Sequence, residues 1–162
     1  MIRHTARALC AATLVIAPLA LTVTPAYAVT TCTVNGVPVT GTVVSGTAGS
    51  DFIRCASVAN GDQVNGLGGS DTIIVSGSVA GLVTGGPGAD YISTPGTISG
   101  TVSGGDAGDY LTAGTVAPSG AVTGGLGNDF LRVSANAGVV DGSFGLDFCR
   151  VGVGNAPINC EA

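Results

Sequence analysis

Six aspartates, Asp51, Asp71, Asp90, Asp109, Asp129 and Asp147, follow one another at intervals of 20, 19, 19, 20 and 18 residues. Each lies at the end of a glycine-rich segment. Carboxylates repeated beside glycine turns suit a hard cation: calcium gathers roughly six to eight oxygens from carboxylates, backbone carbonyls and water. A glycine turn leaves its carbonyls accessible, and stacked turns bring neighbouring carboxylates close enough to repel unless a cation lies between them. Six turns offer five such gaps, and the pairs Asp71/Asp90, Asp90/Asp109 and Asp109/Asp129 carry the best-formed motifs. Asp62 and Asp106 fall off this series. The alternative use of the aspartates is to cap their own turns through side-chain hydrogen bonds to nearby amides.

The elements that position them repeat with the same period. The copies read VSGTAGSDFI (44–53), VNGLGGSDTI (64–73), VTGGPGADYI (83–92), VSGGDAGDYL (102–111), VTGGLGNDFL (122–131) and VDGSFGLDFC (140–149). Valine alternates with a small polar residue before the turn, and the aspartate is followed by an outward residue and then Ile or Leu. This period-two pattern predicts short strands with one face inward. Glycines such as Gly85 and Gly88 are expected to supply backbone angles closed to other residues. About ten further residues (75–82, 93–101, 112–121 and 132–139) return the chain to the start of the next copy. A constant period near 19 without helical patterning makes each unit one coil of a solenoid, which buries its apolar face only by stacking on its neighbours. The expected fold is all-β, a right-handed parallel β-solenoid of about six coils. Its inward columns are Val44, Val64, Val83, Val102, Val122 and Val140, and Ile53, Ile73, Ile92, Leu111 and Leu131. An outward column of aromatics, Phe52, Tyr91, Tyr110, Phe130 and Phe148, should run beside the aspartates.

The copies GGPGADYIS (85–93), GGDAGDYLT (104–112) and GGLGNDFLR (124–132) closely resemble the nonapeptide of the RTX, or haemolysin-type, calcium-binding repeats. The family pattern, G-G-x-G-x-D-x-apolar-x, builds a parallel β-roll. The resemblance implies Ca2+ held by the six aspartates with turn residues Gly85, Gly88, Gly104, Gly124 and Gly127. The copies at 46–54, 66–74 and 142–150 match more loosely at the second glycine, and Ala107 replaces the third glycine of 104–112. Two departures stand out. The family motif usually recurs twice per coil, whereas here one edge alone carries it, and family members commonly use an uncleaved C-terminal export signal and few cysteines.

Residues 1–28 read as a signal peptide: Arg3, His4 and Arg7 precede an uncharged apolar stretch, and Ala26-Tyr27-Ala28 supplies a cleavage pattern. Residues 29–43 and 151–162 then form N- and C-terminal caps around the repeats at 44–150. Beyond residue 28 three arginines face ten acids, a net charge of −7, with no Lys, His or Trp. That balance disfavours nucleic acid and anionic membrane as partners and favours cations. No later stretch is apolar enough to cross a bilayer as a helix. Four cysteines remain, and an even number in an exported chain reads as disulfides. Of three pairings, Cys32–Cys55 and Cys149–Cys160 tie down one end each. Without His or Lys the usual nucleophiles lack an activating base, so an enzyme is not expected. No threonine column marks an ice-binding face. The competing function is a metal-independent structural or adhesive solenoid of the cell envelope that binds a glycan or a protein.

Overall fold

The computed structural model describes residues 29–161; the leader expected over 1–28 lies outside them. The described chain is all strand, turn and bend, with no helix. It opens with an antiparallel hairpin, β1 (Thr30–Val34) and β2 (Val37–Gly41). Asn35 and Gly36 both take positive φ there (51° and 81°), as a two-residue hairpin turn requires.

Six coils follow, each a strand, a glycine–aspartate turn and a second strand. They are β3 (Val43–Ser45) with β4 (Phe52–Cys55), β5 (Gln63–Asn65) with β6 (Thr72–Val75), and β7 (Leu82–Pro87) with β8 (Tyr91–Ile98). Then come β9 (Thr101–Asp106) with β10 (Tyr110–Val116), β11 (Ala121–Leu126) with β12 (Phe130–Asn136), and β13 (Val139–Phe144) with β14 (Phe148–Gly154). The odd-numbered strands β3 to β13 stack into a six-stranded parallel sheet. The even-numbered strands β4 to β14 form a second parallel sheet, to which β1 and β2 add antiparallel at one edge. The all-β parallel solenoid with a 19-residue period is thus the fold of the chain.

Register between coils keeps like above like. Val44 pairs with Val64, Val64 with Val83, and Val122 with Val102 and Val140. Across the interior stand Ile53, Ile73, Ile92, Leu111 and Leu131, all 0–1% exposed. Two further inward columns complete the core, one of Cys55, Val75, Ala113 and Val133, the other of Val58, Val79, Ile98 and Val116. The return segments differ along the stack. In the first two coils they form no continuous strand pair and are joined by the isolated bridge Val58–Val79 and by the Gly77 amide donating to the Ala56 carbonyl (2.7 Å), whereas from β8 onward the sheet strand continues through the return column. Asn136 ends the last column in an otherwise apolar position. Its amide donates to the Asn155 carbonyl (3.1 Å) and its carbonyl accepts from the Gly138 amide (3.0 Å), so the buried polar group is satisfied.

Both disulfides have the expected partners. Cys32 and Cys55 face each other across β1 and β4, with Cα atoms 4.1 Å apart, and Cys149 joins Cys160 at the far end, with Cα atoms 5.7 Å apart. The N-terminal cap is also fastened by Asp62, whose Oδ2 accepts from the amide and hydroxyl of Thr30 (2.8 and 2.7 Å).

Candidate functional site: an aspartate ladder along one edge

Strand alternation turns each repeat aspartate inward, between an outward residue after it and the buried Ile/Leu column. All six are buried, at 1–5% exposure. Only Asp51 caps its own turn, through Thr47. The other five carboxylates instead reach the backbone of the preceding coil. The amides of Asp51, Asp71, Asp90, Asp109 and Asp129 donate to Oδ1 of Asp71, Asp90, Asp109, Asp129 and Asp147 respectively, at 2.7–2.8 Å. Main-chain bonds run alongside: the amides of Tyr91, Tyr110, Phe130 and Phe148 donate to the carbonyls of Asp71, Asp90, Asp109 and Asp129, each at 2.8 Å. The result is one continuous ladder from coil to coil.

Its two ends are closed by residues outside the repeat. The first aspartate has no preceding coil, and Asn35 takes that place: its Nδ2 donates to Asp51 Oδ1 (2.5 Å) and its Oδ1 accepts from the Phe52 amide (2.9 Å). The last aspartate has no following coil, and Oε2 of Glu161 accepts the Asp147 amide. The segment carrying Glu161 imitates a further coil, with bridges from Ile158 to Asp141 and from Glu161 to Phe148. Sequence reading missed both caps. Glu161 lies only 14 residues beyond Asp147, outside the period, and Asn35 belongs to the hairpin turn.

The second carboxylate oxygen is the unusual one. Oδ2 of Asp71, Asp90, Asp109, Asp129 and Asp147 is buried without a hydrogen-bond partner. Asp51 alone escapes, because its Oδ2 accepts from the amide and the hydroxyl of Thr47. That first turn differs from the others. In the remaining five, the residue after the first glycine (Leu67, Gly86, Gly105, Gly125, Ser143) and the one two places later (Gly69, Gly88, Ala107, Gly127, Gly145) all take positive φ. Leu67, Ala107 and Ser143, the loose matches to the motif, are therefore held left-handed by the stack, at a cost of roughly 1–2 kcal/mol each.

Gly85, Gly104 and Gly124 act differently from the expectation that they supply unusual angles. Gly88 and Gly127 do have positive φ (133° and 124°), but those three do not. What they supply is space. A Cβ on Gly104 would strike Asp109 Oδ2 and lie 2.6 Å from the Gly124 carbonyl oxygen; Gly85 and Gly124 meet Asp90 with Gly104, and Asp129 with Gly142, in the same way. Each orphaned Oδ2 thus shares a small cradle with a backbone carbonyl of the next coil or, for Asp147, with that of Asn159 in the C-terminal segment, two acceptors and no donor.

Burial is costly for carboxylates so placed. It pushes Asp90 up from 3.8 to about 6 and Asp109 up to about 7, against the opposing effect of the ladder hydrogen bond; neighbouring ladder charges add to the rise. Asp71 and Asp129 move up for the same leading reason. Asp51 moves down, chiefly because the Thr47 amide donates to it.

All six predicted aspartates and both predicted disulfides are therefore brought to their expected edge and ends, while Asp106 stays exposed off the ladder. Among the described residues, no three His, Cys, Asp or Glu side chains gather in one cluster. A cation on this edge would accordingly draw most of its oxygens from backbone. No protein-family model, curated protein or solved structure matches the chain. The likeness to haemolysin-type repeats rests on the nonapeptide and on the parallel solenoid that carries it.

Proposed function

We propose that the chain is an exported calcium-binding solenoid, in which Ca2+ between successive turns completes the aspartate edge. The observation that carries this reading is the set of five buried, unpartnered Oδ2 atoms, four beside a carbonyl of the following turn and that of Asp147 beside the Asn159 carbonyl. Asp71, Asp90, Asp109, Asp129 and Asp147 would hold the ion together with turn carbonyls such as those of Gly104 and Gly124. Bound calcium supplies the positive charge that this cradle of acceptors lacks. The chain's own residues do the rest: Oδ1 fixes each carboxylate to the preceding coil, and the first glycine of each turn keeps the cradle open. The N-terminal leader and the paired cysteines suit an extracellular setting. There, calcium modules typically work at roughly 10⁻⁴–10⁻³ M.

Counting bound calcium at pH 8 by equilibrium dialysis, on the wild type and on Asp109→Asn, tests the proposal. Asparagine keeps an oxygen for the Asp90 amide and places an N–H2 in the cradle, so the metal-free variant should be as stable as the wild type or about 1 kcal/mol more so. The wild type should bind up to five ions, and the variant should lose one or two. Equal counts, or none in millimolar calcium, would leave a metal-free ladder that works through protons alone.

A further inference from the structure

The outward face of the eight-stranded sheet carries every arginine of the described chain, and no strand of that sheet contains an acid. Arg54, Ile74, Ser93, Thr112, Arg132 and Arg150 occupy one register column across β4 to β14. The aromatic column lies two residues earlier on each strand and so flanks it on the same face. Stability alone does not explain this placement. Arg132 and Arg150 pair directly across parallel strands, and like charges so placed repel. Their cross-strand neighbours in the column are Thr112 and each other, although the chain has ten acids to offer.

The aromatic column narrows what this face can bind. Tyr91, Tyr110, Phe130 and Phe148 stack on one another with centroids 4.8–5.5 Å apart and ring planes within 18°. Their faces are therefore used up, and what solvent meets is a wall of ring edges with the hydroxyls of Tyr91 and Tyr110. Single-stranded nucleic acid needs free aromatic faces on which to stack its bases, together with a basic groove along its backbone. Rings stacked on one another offer no such faces. On the other side of the arginines lies a shallow trough lined by Pro95, Thr112, Gly114, Arg132 and Ser134. It combines a guanidinium fork with hydroxyls and an apolar floor.

We infer that this arginine-lined face binds an acidic polysaccharide, whose carboxylates pair with Arg132 and Arg150 while its hydroxyls meet Thr112, Ser134 and the tyrosine hydroxyls. The planar guanidinium matches a carboxylate with two parallel hydrogen bonds. The site is independent of whatever occupies the aspartate edge, which opens on the turns.

The test is a calorimetric titration of the purified protein with a hyaluronan decasaccharide, and with an uncharged oligosaccharide of equal length, in EDTA and again in calcium. Binding to the acidic glycan alone, weakened by salt and present in both media, is expected. The double variant Arg132→Thr/Arg150→Thr borrows the column's own residue at Thr112 and removes a like-charge contact, so it should melt no lower than wild type. Its binding should fall about tenfold or more, each charged hydrogen-bonded contact being worth about that much. Equal binding of the neutral sugar, unchanged binding by the double variant, tighter binding of oligo-dT, or no heat at millimolar glycan would each overturn the inference. Calcium-dependent melting that survives such a failure would leave the aspartate edge untouched.

Discussion

Gly104→Ala is expected to lower stability by about 3 kcal/mol or more, the upper end of what overpacking costs, and the melting temperature by roughly 10 °C. The added methyl has nowhere to go. On one side it meets Asp109 Oδ2, on the other the Gly124 carbonyl at 2.6 Å. Backbone does not yield cheaply, and moving the carboxylate would break the bond from the Asp90 amide to Oδ1 (2.8 Å). Gly68→Ala is the matched control. Its nearest neighbour is 3.6 Å away and its φ is not positive, so it should be nearly neutral. Thermal melts of the two variants separate a requirement for space inside the cradle from a general intolerance of side chains in the turns. If both melt alike, the cradle is not the tight element described.

The second large effect is a pH dependence opposite to that of most acidic proteins. Asp90 and Asp109 are raised from 3.8 to about 6 and about 7, and Asp71 and Asp129 are raised as well. Between pH 4 and pH 7 the folded chain therefore holds more protons than the unfolded one, and stability must fall as pH rises through that window. The stabilising contribution is complete below the unfolded value of 3.8 and gone above about 7. Asp51, whose value is lowered, works in the other direction but is a single group. Metal-free protein should thus melt higher at pH 4 than at pH 8, by on the order of 10 °C. Calcium should recover most of the loss at pH 8 and do little at pH 4, where protons already neutralise the edge. Melts in EDTA across this range check the sign. A curve that rises with pH would mean the ladder carboxylates are ionised and stabilised when metal-free.

Much of this architecture is legible in the sequence because a solenoid repeats its physics. A valine or isoleucine every 19 residues can be buried only by a copy of itself in the next coil, so period alone places the columns headed by Val44 and Ile53, the outward aromatics and the aspartate edge. The cysteine pairing is legible too, since Cys32–Cys55 and Cys149–Cys160 each lie at one end. What is not legible is whatever happens once. Asn35 and Glu161 end the ladder from outside the period, and only the fold brings them to Asp51 and Asp147. The same holds for the division of labour among glycines. Gly85 and Gly88 look equivalent as letters, yet one clears space for a carboxylate and the other bends the chain. Nor does the motif reveal that Oδ1 bonds the preceding coil. A side chain of one residue type can cap its own turn or reach across, and the closeness of stacked backbones decides between them. The arginine column shows the converse: three residues scattered through the sequence share one register column, and Arg132 and Arg150 become neighbours, only after coiling.

The account turns on whether calcium and protons compete for the same buried oxygens. The measurement that tests this most directly is proton release on adding calcium to the metal-free protein at pH 6.5, followed in a pH-stat. Displacement of protons from the interior ladder, saturating with calcium and reduced in Asp109→Asn, is the predicted result. Saturable calcium binding without proton release, or no response at all, would contradict it.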